Sequence, residues 1–209
     1  MKKFFLIVVA LAAFASLGYA QTADEIVERM DKELKKGESV GTAVTFDIHI
    51  PIIGQVSSRI RTLGNRSRAD IDAKGEKGII WVVKDTSWSY SPKDNEIVIE
   101  LGKKDNGSSQ QGNEMLSGIT EGYNVSIVKE TADSWQLRCD KAKGNKDKDD
   151  PAKMDLVVAK KTWLPVSLKA KYKGVTVTLR DFSLGVSRKE VTFNPSDYKG
   201  VKITDKRSN

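Results

Sequence analysis

The run Ile79–Leu101, IIWVVKDTSWSYSPKDNEIVIEL, constrains the fold more than any other stretch of this chain. It reads as three short strands, Ile79–Lys84, Ser87–Tyr90 and Ile97–Leu101. They are cut by Lys84-Asp85-Thr86 and by Ser91-Pro92-Lys93-Asp94-Asn95, whose Pro, Asp and Asn suit turn dihedrals. Between the cuts stand β-branched and aromatic residues, the types that fit a pleated surface. Alternation puts Trp88 and Tyr90 on one face of the middle strand and Ser87 and Ser89 on the other. Ile97, Ile99 and Leu101 likewise share a face of the third, with Val98 and Glu100 opposite. An antiparallel meander with one aromatic, greasy wall is the expectation.

The flanking sequence extends the same architecture. Thr42–Ile50 alternates cleanly, with Val44, Phe46, Ile48 and Ile50 against Thr45, Asp47 and His49. Pro51 and Gly54 mark a turn into Gln55–Thr62, and Gly64-Asn65 a turn into Arg66–Ile71. Later strands are expected at Val125–Val128, Ser134–Cys139, Asp155–Ala159, Val166–Tyr172 and Val175–Leu179. Asp140–Lys153 reads as a charged, solvated hairpin tip, and Trp163-Leu164-Pro165 as a turn. The ending VTFNPSDYKGVKITDKR reads as a short strand followed by an irregular tail. So many strands without intervening helices predict an antiparallel sheet or barrel.

Two segments read as helix. Thr22 to Leu34 has a capping box, Thr22 with Glu25, an apolar stripe of Ile26, Met30 and Leu34, and Gly37 as its stop. Asn113–Ile119 follows a polar, Gly-rich loop (102–112) and carries Met115, Leu116 and Ile119. It is either a core-filling connector or a movable lid over an apolar cavity.

Residues 1–20 have the form of a cleaved signal peptide. Lys2 and Lys3 precede the apolar run Phe4–Leu17, and Gly18-Tyr19-Ala20 is a small-x-small cleavage site after Ala20. Residues 21–209 then form one exported domain. The formal charge of +7 is spread along the sequence. No basic helix or aromatic single-strand platform goes with it, so no nucleic-acid partner is expected.

No catalytic pattern stands out. His49, the only histidine, lies on the polar face of a strand without a Ser, Cys or Asp partner pattern. Cys139, the only cysteine, alternates with Leu137 and Trp135 and reads as a small buried hydrophobe that can form no internal disulfide. One His and one Cys make no structural zinc site, and no phosphate-binding glycine motif appears. The residues point to a non-enzyme with no cofactor or metal, built around an apolar receptacle.

Trp88-Ser89-Tyr90-Ser91-Pro92 resembles the LWxYxP strand-turn of the LolA family, periplasmic carriers of outer-membrane lipoproteins. Val191-Thr192-Phe193-Asn194-Pro195 with Gly200-Val201-Lys202-Ile203-Thr204-Asp205 resembles that family's F-x-F-x-P…G-V-x-V-x-D ending. Trp163-Leu164-Pro165 resembles its T-x-L-P turn. The resemblance implies an α+β fold, a strongly curved antiparallel sheet forming an unclosed β-barrel covered by short helices. It implies a periplasmic monomer that takes the acyl chains of a lipoprotein or lipid cargo, loaded by an inner-membrane ABC-type releasing complex and unloaded to an outer-membrane acceptor. The acyl chains would lie against Phe46, Ile48, Trp81, Val83, Trp88, Tyr90, Ile97 and Ile99. Met115, Leu116 and Ile119 would form the lid. Arg68 stands where the family has the arginine of an F-R-W strand, with Ser67 and Ala69 in place of the aromatic neighbours. Leu63-Gly64 stands where many members carry an Arg-Pro pair that locks the lid, which leaves Arg61, Arg66 or Arg68 for lid-locking or cargo contact. Three other readings stay open: a sensor or interaction module of the same fold, a closed structural β-domain, and an exported hydrolase.

Overall fold

The computed structural model describes residues 21–101 and 118–207. Helix α1 spans Ala23–Lys35 and the short α2 Gly37–Val40. Twelve strands follow: β1 Thr42–Ile50, β2 Gly54–Leu63, β3 Arg66–Ala73, β4 Glu76–Val83, β5 Thr86–Ser91 and β6 Glu96–Leu101, then β7 Tyr123–Glu130, β8 Ser134–Lys141, β9 Lys153–Ala159, β10 Pro165–Tyr172, β11 Val175–Leu184 and β12 Lys202–Asp205. A 3₁₀ turn, Pro195–Tyr198, precedes the last strand.

All twelve strands join one sheet in the order β12-β6-β5-β4-β3-β2-β1-β11-β10-β9-β8-β7. Two meanders, β1–β6 and β7–β11, meet where β1 pairs antiparallel with β11. Among the described strands only β12 runs parallel to its neighbour, β6. The sheet is curved and unclosed, with β7 and β12 as its outer strands. Register shifts in β11 opposite Ala43–Thr45, in β10 between Pro165 and Ser167, and in β7 between Ile127 and Lys129 put local bends into it.

α1 begins as expected. Thr22 Oγ1 accepts from the Glu25 amide at 3.2 Å, and Glu25 Oε2 accepts from the Thr22 amide at 3.0 Å. Its apolar stripe is buried: Ile26 and Met30 are 0% exposed and Leu34 is 5%. They pack on Val44 of β1 and on Leu137, Leu156, Leu168 and Leu179 of β8 to β11. Each fully buried aliphatic contributes about 1.5–3 kcal/mol, which is what fixes so short a helix to the sheet. Gly37 does not end the helical region as its type predicts. It opens α2, and the left-handed stop is Gly41 at φ 83°, where a Cβ would lie 2.7 Å from the Thr62 carbonyl.

The end of the chain also differs from the expectation. Val191-Thr192-Phe193 is not a strand; the strand is Lys202–Asp205. Val191 is fully buried against Ala43 and Val186 instead.

Candidate functional site: two faces of one sheet

Strand register decides what the apolar residues can do. Side chains paired across strands project to the same face. Val44 pairs with Ile60, Ile60 with Ala69, Ala69 with Ile80, Ile80 with Ser89 and Ser89 with Val98. This row continues the face on which α1 sits. Parallel rows carry Phe46, Ser58, Ile71 and Gly78, and then Ile48, Val56 and Ala73. Trp81 pairs with Trp88 and Arg68, Trp88 with Ile99, and Tyr90 with Ile97 and Ile79. These are the alternate residues, and they occupy the opposite face.

The eight residues read from the sequence as one acyl-binding wall therefore divide. Phe46 and Ile48 lie on the helix face. Trp81, Val83, Trp88, Tyr90, Ile97 and Ile99 lie on the other, which the chain's own C-terminal segment covers. Phe193 stacks on Trp88 at a centroid distance of 5.7 Å and sits 5.4 Å from Trp81, while Tyr198 approaches Tyr90 at 4.8 Å and Trp81 at 5.5 Å. Trp81 is 2% exposed and Ile97 0%. Burial pushes the Tyr198 hydroxyl above the ordinary tyrosine value.

Arg61, Arg66 and Arg68 share this tail-covered face. Arg68 lies with its guanidinium carbon 5.3 Å from the Trp81 ring centroid and donates to Asp70 Oδ1 at 2.6 and 3.0 Å. Arg61 donates to the other Asp70 oxygen and lies 3.8 Å from Glu190. Arg66 donates to Thr192 Oγ1 at 3.3 Å. Glu190 is held below the usual carboxylate range, first by the Ser187 amide and hydroxyl and less by Arg61. Arg61 and Arg66 thus fasten the segment that carries Phe193, while Arg68 is held on Asp70 and the Trp81 ring beneath it. Between that segment and β3–β4 lies a half-open recess of ≈ 610 Å³, whose lining is charged and polar apart from Trp81 and Tyr198.

Among the described residues the helix face is covered only in part. α1 and its core cover it from β1 across to β8, but Ile60, Ile71, Ile80, Val82 and Val98 lie outside that core and are half-exposed. Small residues alternate with them, and a recess of ≈ 390 Å³ opens over β3 to β6 with Ile71, Ala73, Gly78, Ile80, Ser89 and Val98 in its lining and charged groups among the rest. Isoleucine ridges and Gly, Ala or Ser gaps make a floor on which an extended hydrocarbon can lie. Ile119, where the second segment resumes, packs against the α1 core. Beside it the Asp31 carboxyl of α1 is raised above its ordinary value by burial, with Lys35 opposing. Met115 and Leu116, the other two lid residues, lie outside the described residues.

His49 is exposed at the end of β1. Cys139 is fully buried in the helix-face core, and burial pushes its thiol up to about 11.

No protein-family model and no curated protein matches the chain. Solved structures do. The chain is similar in fold to a LolA superfamily protein. That protein, from Nitrosomonas europaea, is 15% identical, with 85% of this chain and 100% of that chain covered and a TM-score of 0.34. The lipoprotein LppX of Mycobacterium tuberculosis is 13% identical over 75% of this chain and 91% of that one, with a TM-score of 0.48. An uncharacterized conserved protein from Thermus thermophilus is 16% identical over 89% and 100%, with a TM-score of 0.46. These likenesses concern the fold. Among the described residues no helix is long and apolar enough to cross a membrane.

Proposed function

We propose that this protein is an exported carrier that holds the acyl chains of a lipoprotein or lipid on the helix face of its sheet and ferries them from inner to outer membrane. The observation that carries the reading is the row Ile60–Ile80–Val98 with Ile71 beside it: aliphatic, half-exposed, and continuous with the core beneath α1. A soluble domain gains nothing by leaving such a face open unless something apolar covers it. Each methylene transferred there from water contributes about 0.8 kcal/mol, so one long chain provides ample affinity without any catalytic group. The larger recess under the C-terminal segment is less suited, because its charged lining would have to lose water against hydrocarbon.

In this reading Phe46 and Ile48 contact cargo together with Ile60, Ile71, Ile80 and Val98, and Trp81 and Ile97 are closed core, with Trp88 half-buried under Phe193. Arg61 and Arg66 hold the tail, and Arg68 supports Trp81 beneath it. An inner-membrane releasing complex would load the carrier in the periplasm and an outer-membrane acceptor would empty it. Native mass spectrometry of the protein purified from periplasm without detergent, then mixed with a triacylated peptide, tests the reading. A stoichiometric adduct is expected; no adduct at saturating peptide overturns it in favour of a closed structural domain.

A further inference from the structure

The β1–β2 hairpin ends in two aliphatic residues that nothing in the fold uses. Ile52 is 105% exposed and Ile53 51%. The Ile53 amide donates to the Pro51 carbonyl at 2.8 Å, and Ile52 between them has φ 72°. This is the γ-turn with positive central φ, a rare and strained form. A β-branched residue is among the least suited to it, and Gly or Asn would hold the same turn at less cost. The turn pushes Ile52 wholly into solvent.

The surroundings of the tip favour one kind of partner. The sheet order and strand directions bring the β3–β4 and β10–β11 turns to the same end of the sheet as Ile52. These neighbouring turns carry Lys74 and Lys173, with Lys171 one position inside β10. The Lys74 side chain reaches the hairpin, since a Cβ on Gly54 would meet its Cε at 3.5 Å. Lys74 and Lys171 make no ion pair among the described residues. Of the nearby acids, Glu76 pairs with Lys93 at 2.7 Å and Asp149 with Lys173 at 3.6 Å, while Asp72 accepts from the Gly75 amide at 2.9 Å. An exposed aliphatic point flanked by the two unpaired ammonium groups of Lys74 and Lys171 matches the boundary of an anionic bilayer, apolar below and negatively charged at its surface.

We propose that the Ile52–Ile53 tip inserts into an anionic lipid surface, with Lys74 and Lys171 against the headgroups, and docks this end of the sheet on the membrane. Behind the tip, Ile50, Ile48 and Phe46 follow one another on the helix face of β1, so docking would bring the open end of that face to the bilayer. The docking stands on the hairpin; only this direction of cargo entry rests on the carrier reading.

The test is flotation of the purified protein with vesicles of phosphatidylethanolamine and phosphatidylglycerol, beside pure phosphatidylcholine. The wild type is expected to float with the anionic vesicles. I52N/I53D should cut its partition at least about tenfold, and K74E/K171E should remove the preference for anionic lipid. Asn suits the positive φ at position 52, so an unchanged melting temperature confirms that I52N/I53D is folded. A wild type that ignores the vesicles, or a double variant that floats as well as the wild type, overturns the proposal. So does a wild-type dimer in sedimentation that I52N/I53D dissolves, because the tip would then serve a second copy. Triacylated-peptide binding measured in solution on the same variants keeps the two readings apart: it should survive I52N/I53D, and its absence in the wild type counts against the carrier and not against docking.

Discussion

Phe46 and Trp81 lie on opposite faces of the same sheet. Phe46 pairs with Ser58 in the row that leads to Ile71, whereas Trp81 pairs with Arg68 and Trp88 in the alternate row. One faces α1 and the other the C-terminal segment. A ligand on one face cannot touch the other residue, so the faces can be tested one at a time.

The helix face should respond to polar substitution by losing ligand. I71S and I80S each remove a half-exposed aliphatic from the proposed cargo floor and should weaken triacylated-peptide binding about tenfold, the effect of about 1.4 kcal/mol of lost apolar contact. W88A, on the other face, should leave that affinity within about twofold. Equal losses in all three variants would place the cargo elsewhere.

The tail-covered face should respond in stability. F193A removes a ring that touches Trp81, Trp88 and Tyr198, and truncating a buried aromatic costs about 3–5 kcal/mol where the site cannot collapse. Phe193 is only half-buried, so the lower end, about 3 kcal/mol, is expected in urea unfolding at unchanged ligand affinity. Trp81 and Trp88 emission should shift to the red in the same variant. A variant as stable as the wild type would mean that the tail rests on the sheet without holding it.

Much of this arrangement is legible in the sequence, and the missing part has one physical cause. The capping box at Thr22 and Glu25, the stripe Ile26–Met30–Leu34 and nearly every strand can be read from local pattern, because each is set by neighbours within a few residues. Alternation within a strand also separates Trp88 from Ser89 correctly. It does not say which face of one strand continues which face of the next. That depends on turn length: Pro51-Ile52-Ile53 pairs Ile48 with Val56, and the Lys74-Gly75 turn pairs Asp70 with Ile79. A change of one residue in either turn would exchange the faces beyond it. Trp81 and Trp88 have the aromatic content of a cavity wall, yet a large aromatic is as much at home in a protein core as in a cavity. Ile60, Ile71, Ile80 and Val98 carry no motif; only the register joins them into a floor. Nor does Val191-Thr192-Phe193 announce that it crosses over β4 and β5 without pairing, since its pattern suits a strand equally well.

Acid should weaken the junction of the two meanders. Asp47 on β1 accepts from Arg180 Nε at 2.5 Å and from the Ser57 hydroxyl at 2.6 Å, tying β11, β1 and β2 together. The Arg180 hydrogen bond holds its carboxyl below the usual 3.8, with Ser57 assisting. A depressed carboxylate favours folding above its unfolded value, and that contribution fades as the pH falls through the lower folded value. Arg180 is largely exposed, so solvent screening keeps the pair to within about 1 kcal/mol. D47N should therefore be less stable than the wild type at pH 7, and the gap should close below about pH 4. A gap unchanged between pH 7 and pH 3 would assign the loss to packing.

Cys139 offers a reporter for the core beneath α1. It is 0% exposed between Val125 and Met154, and burial, with Asp140 and Asp155 nearby, pushes its thiol up to about 11. Thiolate is the reactive form, so at pH 8 both access and ionisation protect the native side chain. Ellman's reagent should label almost none of the folded protein over an hour and one thiol per chain once urea unfolds it. The rate under native conditions then measures opening of the α1-covered core, and triacylated peptide should slow it if cargo binds the folded face and not the opened one. Labelling as fast as a free thiol without denaturant would show that α1 does not seal this half of the sheet. Labelling that cargo leaves unchanged at saturation would mean that the ligand binds the closed and opened forms alike, and would separate the cargo face from the core on which α1 rests.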